Sequence, residues 1–416
     1  MLIKLKIKNY KSFKEESSLD LLAAPINELS DSLLRFENHE VLPIIPLFGL
    51  NATGKTNVLE SLVSLKELII LGIRSKNYDD FKLNIKHPFE YFKLDENSKN
   101  KPITEEVTFY SDIKKRVYSY RIEIKNKRIE KEELTFIKNN KVFNIFKRDN
   151  YKFDFNKTYL DINEELINLI KKYNSKIPTL SILYNEINND YISDVIDNFI
   201  KRINYISFGK DSSSIKDIND IDLSIFNFDS VNKRILINIF KTLDINIDDY
   251  LIKESGKSRD ITTIKKIDNK DYKVNLKHES EGVKKLFYLI PRVLYSLKEG
   301  NILLVDELGN ELHPLVLRAI LSLYRIKSIN KFNAQVIFTN HDVSILNSDI
   351  LRRDEIYFVN KNNNQSSELI SLYDFKGYNN KFIKKNTYYI EEYLHGLFGS
   401  FSNETLKNIK LEDGDE

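Results

Sequence analysis

Gly49-Leu-Asn-Ala-Thr-Gly-Lys-Thr56 lies between the apolar run Val41–Phe48 and a segment whose Val58, Leu59, Leu62, Leu65, Leu68 and Ile69 recur at near-helical spacing. Strand, glycine loop and helix follow in that order, with Gly72 as the expected helix stop. Glycines let the backbone curl until successive N–H groups point inward, and the positive end of the following helix dipole adds to their attraction for phosphate oxygens. In this pattern Lys55 reaches the outer phosphates of a nucleoside triphosphate and the Thr56 hydroxyl ligates Mg²⁺. ATP and Mg²⁺ are therefore the expected cofactors, with Gly49, Asn51, Gly54, Lys55, Thr56 and Asn57 around the phosphates.

A second signal is Asn301-Ile-Leu-Leu-Val-Asp-Glu307, an apolar strand ending in two adjacent carboxylates. Downstream of a phosphate loop the first acid suits Mg²⁺ and the second suits polarising an attacking water, so Asp306 is an expected metal residue and Glu307 the expected general base. Phosphoryl transfer asks little covalent help of a protein; an acceptor for the water's proton and charge neutralisation at the γ phosphate supply most of the barrier reduction. Thr339-Asn-His-Asp342 follows the apolar Gln335–Phe338. That sets His341 at a strand's carboxyl end, where open α/β sheets gather ligands, as the second expected catalytic residue, sensing the γ phosphate by a hydrogen bond. His313, in Leu-His-Pro, is expected to cap or pack a helix start.

With 416 residues, 41% of them apolar, the chain can bury a large core in one to three domains. The lack of cysteine excludes disulfides and thiolate metal sites, and the opening MLIKLKIKNYKSF alternates lysine with apolar residues where a secretory segment would be continuously apolar. No stretch nears the roughly 18–20 apolar residues of a spanning helix, so no membrane role and a cytoplasmic location are expected. A net charge of +3 says little about partners, yet residues 99–157 hold 16 Lys and Arg against 9 Asp and Glu, while 190–249 hold 7 against 11. The basic stretch makes DNA a candidate partner. In a chain rich in Lys, Asn and Ile throughout, a solvated basic surface is the plainer reading.

Period-two alternation predicts a strand at Leu2–Phe13 and an antiparallel meander at Glu106–Tyr110, Val117–Ile124 and Ile129–Ile137, with a turn at Asn126–Lys127. Asn163–Tyr250 is mostly helical, broken near Pro178 and by the polar run Gly209–Asn219. Lys284–Leu297, Ile302–Asp306, Val316–Tyr324, Gln335–Thr339 and Glu355–Val359 then alternate helix and strand. The expected fold is α/β: a P-loop mixed sheet with flanking helices and an antiparallel β meander, carrying an inserted helical subdomain. Expected boundaries are 1–160 for a lobe with loop and meander, 161–250 for the helical insert, 251–375 for a second lobe, and 376–416 for a C-terminal extension.

Glu279-Ser-Glu-Gly-Val-Lys-Lys285 precedes an apolar helical run, about 24 residues before the carboxylate pair. Alone, Ser-Glu-Gly is an ordinary helix cap. In order and spacing, however, the P-loop, Ser-x-Gly helix start, Asp-Glu strand end and strand-end His resemble the ABC ATPase superfamily, especially its soluble branch with SMC and RecF proteins. The resemblance implies a homodimer closing head to head on two nucleotides, with Ser280 and Gly282 holding the γ phosphate bound by the opposite subunit. Asn9–Phe13, Ser280–Leu286, Asp306–Pro314, Asn340–Asp342, Arg352–Phe358 and Tyr393–Gly399 further resemble the AAA-15 group. That group includes the ATPase subunits of bacterial abortive-infection and PARIS-type anti-phage systems and is related to the overcoming-lysogenization-defect nucleases.

By resemblance, then, the chain is an ATP hydrolase whose cycle works as a conformational switch in anti-phage defence, acting with a separate effector such as a Toprim or RNase-like nuclease. An ATPase of DNA repair or chromosome maintenance on duplex DNA is the alternative. Phe89–Asp271 falls outside the resemblance. Three departures stand out. ABC proteins usually place a Gln between the P-loop and the Ser-x-Gly turn, but here the only Gln residues are Gln335 and Gln365, which leaves His87 as a candidate replacement. Glu281 and Val283 stand where transporters have Gly and Gln, which moves the chain away from transport. About 75 residues follow His341, too few for a Toprim domain, so any nuclease is expected on a partner.

Overall fold

The computed structural model describes residues 1–398 except 76, 140, 174, 209–229, 256–257, 377–381 and 385–387. The expected break at Gly209–Asn219, Gly399 and most of the expected C-terminal extension therefore lie outside the described residues. The chain divides into two compact units, one formed by Met1–Ile203 with Val343–Glu416 and the other by Asn204–Asp342.

The first unit opens with β1 (Leu2–Lys8), β2 (Ser17–Asp20), the short pair β3 (Leu34–Phe36) and β4 (His39–Val41), and β5 (Ile44–Phe48), which leads into α1 (Lys55–Arg74). Next come β6 (Ile103–Ser111), β7 (Arg116–Lys125), β8 (Arg128–Lys138), β9 (Lys141–Asp149) and β10 (Lys152–Phe155), then α2 (Glu164–Tyr173), α3 (Thr179–Glu186) and α4 (Asp190–Asn198). The expected meander forms a seven-stranded sheet in the order β10-β9-β8-β7-β6-β1-β2. Its β7–β8 hairpin turns on Asn126 and Lys127, whose φ angles of 50° and 59° give the two-residue turn that matches strand twist. The first strand is shorter than expected: it stops at Lys8, because Asn9 and Lys11 take positive φ in a turn. Pro43, with no N–H to donate, likewise splits the expected Val41–Phe48 strand into β4 and β5.

Every residue of β5 is buried. It pairs in parallel with β17 (Tyr357–Lys361), which pairs antiparallel with β18 (Ser367–Ser371), giving the mixed sheet expected under a phosphate loop. Gly72 is not the stop of α1, which continues to Arg74. It is the point where α1 touches α3: a Cβ there would lie 2.7 Å from Ser181 Cβ. Helix α3 is pinned to the meander by Glu132, whose carboxylate accepts from the Thr179 and Leu180 amides at 2.6 and 2.9 Å and from the Tyr120 hydroxyl at 2.8 Å. Arg352 is fully buried, donating to Asp354 at 2.9 and 2.7 Å and to the carbonyls of Ala24, Ile26 and Glu28. The Arg352–Phe358 motif thus serves as a structural clamp on residues 24–28. The short helix α8 (Tyr389–Leu394) closes the described part of this unit.

The second unit contains β11 (Ile203–Ser207) from its second residue on, then α5 (Ser230–Thr242), β12 (Asp249–Ser255), β13 (Ser258–Ile267), β14 (Lys270–Asn275), α6 (Glu281–Glu299), β15 (Ile302–Asp306), α7 (Pro314–Arg325) and β16 (Gln335–Thr339). β15 and β16 pair in parallel, both wholly buried, with β11 beside β15. β12, β13 and β14 form a separate antiparallel sheet. Alternation did not announce it: β14, Lys-Asp-Tyr-Lys-Val-Asn, is exposed over its first four residues and so carries no apolar face. His313 caps α7 as expected, its Nδ1 accepting from the Leu315 amide at 3.3 Å.

Candidate functional site

In the first unit, β5 delivers the chain into Gly49–Thr56 and α1 begins at Lys55. Gly49 and Gly54 have φ of 146° and 104°. A Cβ at Gly49 would fall 2.3 Å from the Val359 carbonyl, and one at Gly54 would fall 2.3 Å from Ser12 Oγ and 2.6 Å from Ser367 Oγ. Both the turn and its neighbours therefore require glycine. Lys55 is 6% exposed, and its ammonium donates to the Gly49 and Leu50 carbonyls at 2.8 Å each, across the concave side of the loop. Asn57 donates to Ser12 Oγ at 2.7 Å and the Ser367 amide to the Ser12 carbonyl at 2.8 Å, so the turn after β1 braces the start of α1. Asn51 is exposed and Thr56 half-buried. A cavity of about 340 Å³, lined by Lys11, Ser12, Asn57, Tyr91, Phe92 and Gln365 among others, reaches this first helical turn.

In the second unit, β15 ends at Asp306, which is 6% exposed and accepts from the Thr339 hydroxyl at 2.7 Å. The same Thr339 oxygen accepts from the Glu307 amide at 2.7 Å, tying the carboxylate pair to the end of β16. Glu307 has φ of 59°, a left-handed conformation uncommon for a residue with a Cβ. Its half-buried carboxylate accepts from Asn310 Nδ2 at 2.7 Å. Gly309 lets the loop pass Asn340, since a Cβ would sit 2.1 Å from Asn340 Oδ1. His341 follows directly and is exposed.

Ser280 is the N-cap of α6, its exposed hydroxyl accepting from the Val283 amide at 3.4 Å. At Gly282 a Cβ would lie 2.9 Å from the Glu311 carbonyl. One turn on, Lys285 is 1% exposed and donates to the Glu307 and Asn310 carbonyls at 2.8 and 2.6 Å. Its ammonium also stands 4.2 Å from the Phe208 ring centre. Burial lowers its pKa to about 8 against the opposing pull of Glu311 and Glu307.

The expected residues thus fall into two groups. Gly49, Asn51, Gly54, Lys55, Thr56 and Asn57 share one loop and helix start of the first unit, while Ser280, Gly282, Asp306, Glu307 and His341 belong to the second. His87 is held by Glu67: ring Nδ1 and amide lie 2.9 and 3.0 Å from its carboxylate oxygens. Sequence reasoning missed Lys285, Asn310, Ser12 and Ser367. Only Lys285 carried a usable signal, a lysine at an otherwise apolar helical position.

No curated protein matches this chain. Among solved structures, it is similar to the SMC head domain from Thermotoga maritima at 14% identity and a TM-score of 0.40, covering 89% of this chain and 98% of that one. It is similar to an SMC head bound to the C-winged helix domain of ScpA at 14% identity and a TM-score of 0.43, covering 89% and 97%. The family described as AAA domain, putative AbiEii toxin, Type IV TA system, matches residues 44–347, an interval that takes in the phosphate loop, the Ser-x-Gly turn, the carboxylate pair and His341. That match spans well over half of the sequence, and the chain belongs to this family of AAA ATPase domains.

Proposed function

We propose that the chain binds ATP with Mg²⁺ through the Gly49–Thr56 loop, hydrolyses it with Glu307 as general base and His341 as γ-phosphate sensor, and dimerises around two nucleotides, Ser280 and Gly282 acting on the nucleotide of the opposite subunit. The observation that carries the reading is the glycine loop itself: β5, a turn only glycine can make, and α1 starting at a buried lysine whose ammonium lies across the loop. Thr56 and Asp306 offer hard oxygen donors, and the Thr339 hydroxyl orients the Asp306 carboxylate as outer partners orient metal ligands. When bound, Mg²⁺ neutralises charge on the phosphate oxygens.

In the wider reading, ATP binding closes the dimer and hydrolysis reopens it, a switch that restrains or releases a separate nuclease-like effector of an anti-phage system. The family's description as a putative toxin of a toxin–antitoxin system supports that direction. A Toprim or RNase-like reading frame beside this gene would strengthen it. The second reading, a DNA-maintenance ATPase, draws on the basic residues 99–157. Several of these are already paired across the meander: Arg121 with Glu106 and Glu123, Lys131 with Glu123, and Lys147 with Glu133. ATP-dependent duplex binding that weakens with salt would favour it.

Mixing two inactive variants tests the composite arrangement. Ser280→Arg and Lys55→Ala chains should each be inactive alone. Half of the nucleotide sites in a mixed dimer pair an intact Lys55 with an intact Ser280, so partial ATPase activity should return and track the mixing ratio. Nucleotide-dependent dimers seen by light scattering without regained hydrolysis would indicate coupled sites. Absence of both would refute the arrangement.

A further inference from the structure

Between the Ser-x-Gly turn and the carboxylate pair lies a contact that the motifs do not announce. The ammonium of Lys285 donates to the carbonyl of Glu307 at 2.8 Å and to that of Asn310 at 2.6 Å, joining two points of the loop. On the same helix, Gly282 lies so near the Glu311 carbonyl that a Cβ would approach it to 2.9 Å. Two positions of α6, one turn apart, therefore seat residues 307–311 on the first turns of that helix. A buried ammonium is a costly way to fill this space, and a methionine of similar length would pack more cheaply. What the ammonium supplies, and a methionine could not, is a grip on two loop carbonyls at once. One of those carbonyls belongs to Glu307, whose left-handed backbone needs surroundings to hold it.

We propose that Lys285 is a positioning residue for hydrolysis: it fixes the 307–311 loop on the start of α6, so that the placement of the Glu307 carboxylate depends on it. The inference rests on the reading of Glu307 as general base. Ligand engagement at Ser280 and the aim of Glu307 are then set by one rigid piece, the first turns of α6 with the loop they carry.

A double-mutant cycle tests this. In the parent chain, Lys285→Met should lower kcat for ATP roughly 10- to 100-fold, the scale of a catalytic group displaced by about an ångström, while the dissociation constant for ATP stays within about twofold. In a Glu307→Gln background the same substitution should change the residual rate by less than about twofold, because the group it positions is gone. Lys285→Arg, which keeps charge and several donors, should fall between the parent and Lys285→Met; it carries the same cycle if the methionine variant fails to fold. An unchanged kcat, or an equal loss in both backgrounds, would overturn the proposal. A parent chain that binds ATP without hydrolysing it would instead overturn the reading of Glu307, and this inference with it.

Discussion

The two loops that carry the candidate chemistry are held in opposite ways. The phosphate loop is shaped by its own backbone: two glycines at φ of 146° and 104° turn the chain, and Lys55 bonds to carbonyls of the loop itself. The carboxylate loop instead places a residue with a side chain, Glu307, in the left-handed region at φ of 59°. That conformation costs roughly 1–2 kcal/mol, and it is retained because Lys285, Thr339 and Asn310 each bond to Glu307. A loop shaped by backbone is written in its own few residues. A loop shaped by side chains also depends on residues more than twenty positions away, here Lys285 and Thr339, so each is broken by a different kind of substitution.

The largest effect is expected from removing the cation of the first loop. Lys55→Ala should abolish ATP binding: two charge-assisted hydrogen bonds at roughly 1.5–3 kcal/mol each amount to a loss of about 10²–10⁴-fold in affinity. Calorimetry reads this directly, and unchanged affinity would dissolve the phosphate-loop assignment. The second loop should respond in rate and not in binding. Glu307→Gln keeps the shape and the hydrogen bond to Asn310 but removes the proton acceptor, so hydrolysis should slow by roughly 10²–10⁴-fold with ATP affinity preserved. If the variant turns over like the parent, Glu307 is not the base and His341 becomes the residue to examine. Were both substitutions to act on affinity alone, the contrast between a binding loop and a hydrolysis loop would collapse.

The same contrast explains what was legible in the sequence. Gly49, Gly54, Lys55 and Thr56 could be read directly because local geometry demands those residue types at that spacing, and the strand and helix around them followed from apolar periodicity. The meander was legible because β6, β7 and β8 alternate, and its turn because the Asn126–Lys127 dipeptide between two of them signals a tight turn, where both residues take positive φ. Lys285 shows in the sequence as a lysine at an otherwise apolar helical position, but its two carbonyl partners, 22 and 25 residues on, do not, and Asn310 stands out from no pattern around it. β12–β14 escaped because β14 turns four successive residues to solvent. Gly72 was misread for a related reason: glycine after a periodic run signals a helix end, but here a neighbouring helix comes too close for a side chain, which only the packing of α3 reveals.

The smallest effect is expected at that glycine, and its sign decides whether α1 is seated as described. Gly72→Ala gains about 1 kcal/mol of helix propensity. Against this, the new methyl would stand 2.7 Å from Ser181 Cβ and Oγ and 3.1 Å from Ile177 Cγ2. Ser181 is fully buried and its hydroxyl donates to the Ile69 carbonyl at 2.9 Å, so it has nowhere to turn without breaking that bond. Its Cβ moves only if α3 moves, and Glu132 anchors the amides at the start of α3. Overpacking of this kind costs about 1–3 kcal/mol, so the net change should be a loss of about 0–2 kcal/mol. At about 2–4 °C per kcal/mol for a unit of this size, the melting temperature should fall by between about 0 and 8 °C. ATP affinity should hold within about twofold, because residue 72 lies seventeen positions beyond Lys55, about 25 Å along the helix. A higher melting temperature would mean that α3 yields to the methyl and that propensity alone governs the site. A lower ATP affinity would mean that the phosphate loop is not shaped by its own backbone, and would erase the distinction between the two loops.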